Sequence, residues 1–239
     1  MAPASAVGRA VASFLAVSWC VAPLLAQAPV RPRPLADLLD GLRLTGGGVQ
    51  EWLGRLGVTA GQPAHERLLA VNSTGEIVGA LDGVESQVVV TPEFDRDYIR
   101  EGAGLVLVHN HPASTSLSQQ DLAHLDSPGV SAVVAIGHDG SVYAAAKPLA
   151  SGRARHCDPE CYAKARNEVG KVLRLELGHI TPDESAAGSF ATHLTLLALA
   201  KEGYYDYFSF MAADRRLIFE RHAPAFGRVV ASARAVVHK

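Results

Sequence analysis

The stretch Leu105-Val-Leu-Val-His109-Asn-His111-Pro112-Ala-Ser-Thr-Ser-Leu-Ser118-Gln-Gln-Asp121 gathers chemistry-bearing side chains at the end of an apolar run. Leu105 to Val108 have the composition of a buried strand, and side chains along a strand repeat every second residue. His109 and His111 therefore share a face at the strand's end. Pro112 stops the strand, because proline brings no N–H to a ladder, and turns the chain toward Ser118-Gln-Gln-Asp121, which opens a helix. Two imidazoles and a carboxylate brought back by that helix make the three-ligand set of a catalytic zinc, which keeps its fourth position for water.

Each half of this pattern has a plainer reading. A His-x-His pair is commonly two surface or hydrogen-bonded histidines. Ser118 reads equally well as a helix N-cap, with Asp121 completing a capping-box exchange. The metal reading gains from both halves falling in one short segment, joined by a proline that aims one at the other.

His-x-His-Pro, a short loop and Ser-x-x-Asp together resemble the signature of the JAB/MPN (JAMM) metallopeptidase domain. Asn110 between the histidines makes the segment most similar to the RadC-like bacterial branch, which carries His-Asn-His-Pro. The resemblance covers roughly Ala64 to Lys147, about a third of the chain. It implies an α/β fold of JAB/MPN-like (cytidine-deaminase-like) type, a mixed β-sheet flanked by helices. It also implies that His109, His111 and Asp121 hold zinc, that Ser118 supports an oxyanion, and that an upstream glutamate is the general base. The loop from His111 to Ser118 is one residue shorter than in the family, a change that loops tolerate better than regular elements. Asp126 and Asp139 lack a serine at the supporting offset.

The glutamate candidates are Glu66, Glu76, Glu85 and Glu93. Glu66 opens the strand-like Glu-Arg-Leu-Leu-Ala-Val and stands where RadC-like sequences place theirs, so it is the expected base. Glu76, which follows the turn Asn72-Ser-Thr-Gly75, is the runner-up. Glu93 sits in Thr91-Pro92-Glu93, which has the cap, first-turn proline and acidic residue of a helix start. A solvated charge is the plainer fate of any of them.

Around the motif the pattern predicts a hairpin of Glu66–Val71 with Glu76–Leu81, a strand over Gln87–Val90 and a helix over Pro92–Glu101. It then predicts the metal-bearing strand Gly104–His109 and the metal-bearing helix Ser118–Leu125. Val130–Ile136 and Ser141–Ala146 pair around His138-Asp-Gly140, whose Asp-Gly favours a tight turn and makes His138 a turn residue, not a ligand. This JAB/MPN-like domain spans residues 64–150, after a stretch of linker and short helices over 29–63.

An α+β C-terminal extension over 151–239 is expected to hold helices at Glu160–Leu177 and Pro182–Lys201. A small aromatic hairpin should follow, Tyr204–Phe210 with Leu217–Glu220, joined through Ala213-Asp-Arg-Arg216. Its aromatics are read as packing groups, because an exposed aromatic patch is the less common situation. His193 is read as a polar interruption of a core face.

Residues 1–28 read as a signal peptide or membrane anchor. No charged side chain lies between Ala10 and Val30, Arg9 gives a sparse positive start, and Ala26-Gln-Ala28 resembles a cleavage site. Pro23 and Pro29 fit cleavage poorly, and an uncleaved stretch of this length is long enough to span a bilayer. Export to the periplasm or retention at the membrane is the expectation, with a cytoplasmic location if the segment is only a leader. Arg31-Pro-Arg-Pro34 reads as a short stiff linker. Cys20 lies in the leader, leaving Cys157 and Cys161 one helical turn apart, close enough for a local bridge, with His156 adjacent.

Of 239 residues, 22 are basic and 24 acidic, a net charge of −2, and no basic block occurs. A nucleic-acid surface needs clustered Lys and Arg, so none is expected. The sequence thus supports a zinc-dependent peptidase or isopeptidase acting on a protein or peptide. A catalytically inactive JAB-fold scaffold used for protein binding is the alternative.

Overall fold

A computed structural model describes residues 34–59, 65–84, 87–100, 102–149, 157–178 and 189–238. The expected leader, Cys20, Glu85 and His156 lie outside them. Two helices come first, α1 (Leu35–Gly41) and α2 (Val49–Arg55), each burying an apolar stripe. They are followed by β1 (Arg67–Val71), β2 (Ile77–Asp82) and the short α3 (Pro92–Phe94), which runs on as a π-helical stretch, Asp95–Arg100. Next come β3 (Leu105–His111), α4 (Gln119–Ala123), β4 (Val130–Gly137) and β5 (Val142–Ala146). The chain closes with α5 (Pro159–Leu177), α6 (Ala191–Lys201), β6 (Asp206–Phe210), α7 (Ala213–Arg221) and α8 (Ala223–Val237).

The strands form one six-stranded mixed sheet in the order β2-β1-β3-β4-β5-β6. Among the described residues only β3 and β4 run parallel, and the chain between them passes through α4. Alternation along the strands divides the core into two faces. Val106, Val108, Val134, Ile136 and Val142 pack beneath α1 and α2. Leu105, Leu107, Val133, Ala135 and Tyr143 pack against α4 and the start of α5. Helices α5, α6 and α8 share a further cluster around Phe190, Leu194, Phe226 and Val229. A leucine as deeply buried as Leu39 or Leu107 contributes about 2 kcal/mol through removal of apolar surface from water.

Three expectations are corrected. Gln87–Val90 is not a strand: Val84 and Gln87 make an isolated bridge, and Val88 and Val90 pack their side chains on the core instead of joining a ladder. Leu217–Glu220 is helical, part of α7. The β-preferring Leu-Ile-Phe is overruled by tertiary packing, with Ile218 and Phe219 against the helical cluster and Arg216 paired with Glu220 one turn on. The aromatic hairpin therefore does not form, and β6 pairs with β5 as the last strand of the main sheet. The C-terminal third is thus built into the sheet that carries the site. Within 29–63, expected as linker and short helices, α1 and α2 are the short helices, and together they cover one sheet face.

The expected helix over Pro182–Lys201 is helical from Ala191, with residues 182–188 outside the described set. Cys157 and Cys161 are free thiols with their Sγ atoms 2.6 Å apart, Cys161 donating its backbone N–H to the cap Asp158.

Candidate metal centre

On β3, Leu105 and Leu107 face α4, so His109 and His111 continue that face and Asn110 points to the other. The antiparallel register sets Leu68 opposite His109, and two residues further on Glu66 falls beside His111. Glu66 Oε1 lies 3.4 Å from His111 Nε2. Glu76 stays at the exposed turn, hydrogen-bonded to Asn72, and is not part of the cluster.

The opposite wall is built by the start of α4. Ser118 Oγ accepts from the Asp121 N–H, and Asp121 Oδ2 accepts from the Ser118 N–H at 2.6 Å, a complete capping box. The other oxygen, Oδ1, lies 3.1 Å from His109 Nε2, while Oδ2 also stands 3.6 Å from His111 Nε2. Capping and site-building are therefore compatible, because a carboxylate has two oxygens. His109 Nε2 and His111 Nε2 are 2.9 Å apart.

These atoms pass a test of fit for a divalent cation. Ligand atoms around a tetrahedral zinc are separated by roughly 3.3 Å, as bond lengths near 2.0–2.1 Å require. The two nitrogens and the Asp121 oxygens span that spacing, and Glu66, His109 and His111 form a buried group whose ligand atoms all lie within 4.8 Å of one another. Burial pushes His111 down to about 4, with the neighbouring His109 adding to the effect, so its imidazole is neutral and able to donate a lone pair. His111 Nδ1 lies 2.9 Å from the Thr115 carbonyl, which can only accept; the proton is therefore on Nδ1 and the Nε2 lone pair faces the site.

Charge is distributed unevenly over the rest of the cluster. Burial raises Glu66 above the usual carboxylate range, opposed by His109 and reinforced by Asp121. Burial works against ionisation of Asp121, but His109, its hydrogen bond, His111 and the Ser118 N–H outweigh it, and the carboxyl is held well below its ordinary value. For His109 burial is again the largest influence, overcome by the Asp121 carboxylate, so the net direction is upward.

Asn110 carries a role that the motif alone did not reveal. Fully buried, it accepts from the Arg67 N–H at 2.8 Å and donates to the His65 carbonyl at 2.7 Å, gripping the backbone on both sides of Glu66. His138, in its turn, meets the same carboxamide through Nε2 at 2.9 Å and does not enter the cluster. Gly137 stands opposite His111 in the parallel ladder, and a Cβ there would come within 2.8 Å of Ser114 Cβ, so glycine lets the loop pass close to the strand. Ser114 itself takes a left-handed φ of 52°.

The four side chains open onto a cleft of about 470 Å³, whose other walls include Leu68, Val88, Val90 and His124. A concave space in which apolar side chains alternate with convergent polar groups, Gln87, Thr115 and Gln120 among them, is a common form of a ligand site. Comparison of the chain with family models, with curated proteins and with solved structures finds no match in any of the three.

Proposed function

We propose that the chain is a zinc-dependent metallopeptidase or isopeptidase of the JAB/MPN (JAMM) type, hydrolysing an amide bond with an activated water. The observation that carries this reading is the meeting of two imidazole nitrogens and two carboxylates of opposite tendency at one cleft, one carboxyl held ionised and the other pushed toward neutrality. Perturbed carboxyls gathered in one cleft are common where protons are transferred or cations held.

His109, His111 and Asp121 would hold the ion, which would supply Lewis-acid polarisation of a carbonyl and a lowered pKa for a water at the cleft. Glu66 would take a proton from the attacking water as its oxygen bonds the carbonyl carbon, and would return it to the amine nitrogen as the C–N bond breaks; a carboxyl raised by burial is better matched to both transfers near neutral pH. The Ser118 oxygen is committed as an acceptor to the α4 cap, which leaves its own O–H free to donate to the developing oxyanion. The cleft's mixed polar and apolar walls are compatible with a protein or peptide chain as substrate, and a net charge of −2 without a basic block gives no support to a nucleic-acid substrate. Residues 1–28 fit export to the periplasm or a membrane anchor, checked by where the full-length chain fractionates.

A second arrangement within this reading comes from the distances: Glu66 lies 3.4 Å from His111 Nε2 and within 4.8 Å of a His109 nitrogen, inside the reach of a shared ion. The same protein bearing Glu66→Gln decides between them, since a base variant keeps zinc and a ligand variant loses it. Activity is tested by incubating the full-length protein with unstructured peptides and with an isopeptide-linked conjugate. Cleavage should stop with a chelator and return with zinc. Cleavage that persists in chelator contradicts the proposal, and an intact metal site with no cleavage of any amide leaves the scaffold alternative in its place.

A further inference from the structure

The tautomer of His111 depends on where the Thr115 carbonyl is held, and the segment from Pro112 to Leu117 has no ladder bonds to hold it. Its first half is fixed locally, by the Ser114 N–H to the His111 carbonyl at 2.9 Å and the Asp139 N–H to Ser114 Oγ at 3.1 Å. Its second half is tied to a distant part of the chain. Ser116, 1% exposed, places Oγ 2.8 Å from the Tyr207 hydroxyl. That hydroxyl lies 2.8 Å from His193 Nδ1. His193 is itself wedged among the rings of Tyr143, Phe190 and Phe219 on α6.

We propose that Tyr207, on the last strand of the sheet, is a positioning residue for His111, acting through Ser116 to fix the carbonyl that holds the imidazole in its ligand tautomer. The inference rests on the reading of His111 as a metal ligand. A single phenolic O–H serves both neighbours, accepting from one and donating to the other, so the chain of bonds is complete only when both ends are present. Leu117, fully buried, also anchors the loop, but an apolar contact sets no direction for the carbonyl two residues before it. The C-terminal third thereby acquires a task at the site, supplied from 91 residues beyond Ser116. Removing the hydroxyl leaves two buried polar groups without their partner and lets the loop choose another arrangement.

Tyr207→Phe keeps the ring and deletes the bond. In metal-free, ¹⁵N-labelled full-length protein, long-range ¹H–¹⁵N correlations should show His111 as a single Nδ1–H form in the wild type and as a mixture in the variant. Zinc affinity should fall about 10-fold, the lower end for supporting partners of metal ligands. Ser116→Ala should cost the same, and the double variant no more than either single one, because both cut one chain of bonds. An unchanged tautomer with unchanged zinc affinity in Tyr207→Phe, even beside a lowered Tm, overturns the proposal and leaves Tyr207 a packing residue. Should Tyr207→Phe fail to fold, Ser116→Ala carries both readouts. Wild-type protein that binds no zinc removes the metal reading alone, and the tautomer comparison still decides the positioning role.

Discussion

Glu66, His109 and His111 stand on or beside hydrogen-bonded strands in the middle of the sheet, whereas Asp121 and Ser118 stand on a five-residue helix reached through a loop without ladder bonds. On the strand side the backbone does the placing: register brings Glu66 to His111, and the pleat points both imidazoles the same way. On the loop side the placing is done by side chains, through the Ser118–Asp121 cap, Thr115 on His111, and Ser116 on Tyr207. The strand side is therefore expected to resist single substitutions in position while remaining sensitive in chemistry. The loop side is expected to lose position first.

The largest effect should come from the strand side's chemistry. Glu66→Gln is isosteric and leaves the sheet intact, so zinc should stay while amide hydrolysis drops by about 10³-fold, the scale of a lost general base. Equal loss of zinc and activity would move Glu66 into the ligand set. Next in size is Asn110→Ala, which removes the fully buried carboxamide that partners the half-buried Arg67 N–H and the His65 carbonyl and should cost about 2 kcal/mol in denaturant unfolding. A loss below about 1 kcal/mol would show that Glu66 needs no such grip.

A graded effect, spread over several pH units and absent near neutral pH, belongs to His193, held down to about 3 chiefly by burial, with Arg215 adding to it. The unfolded chain binds the proton first as pH drops below about 6.5, so the stability from this group is present above that pH and is lost as pH falls toward 3. The limiting slope is about 1.4 kcal/mol per pH unit. Chemical unfolding at several pH values should show a shallower dependence in His193→Gln than in the wild type; identical slopes would mean that other groups set the acid sensitivity. Smallest in stability is Ser118→Ala, expected to cost about 1 kcal/mol as a lost N-cap. If its hydroxyl also meets the oxyanion, kcat should fall by more than that loss of fold explains, with KM little changed.

The strand side was also the legible side. Period-two alternation and Pro112 place His109 and His111 on one face without any knowledge of partners, and Asp-Gly between Val130–Ile136 and Ser141–Ala146 gives the β4–β5 turn. The capping box at Ser118 is local and was equally readable. Two things were not. Leu217-Ile-Phe has strand composition, and only its packing on Phe190 and Phe226 makes it helix α7. Tyr207 reads as one aromatic among several in Tyr204–Phe210, and nothing near it in sequence points to Ser116; the pairing exists because β6 adds to β5. Asn110 served only as a mark of family likeness, although its position between two inward histidines forces it onto the opposite face, where a buried carboxamide must find backbone partners. Helix α8 carries a signal that spacing does give, with Phe226, Val229, Val230 and Ala233 forming one apolar stripe after Pro224.

Whether both sides of the cleft meet on one metal ion is read from the metal content of the purified full-length protein. About one zinc per chain is expected in the wild type, and none in either His109→Ala or Asp121→Ala, the first removing a strand-side donor and the second the loop-side one. Wild-type protein without zinc after reconstitution, or stoichiometric zinc retained in both variants, would contradict it.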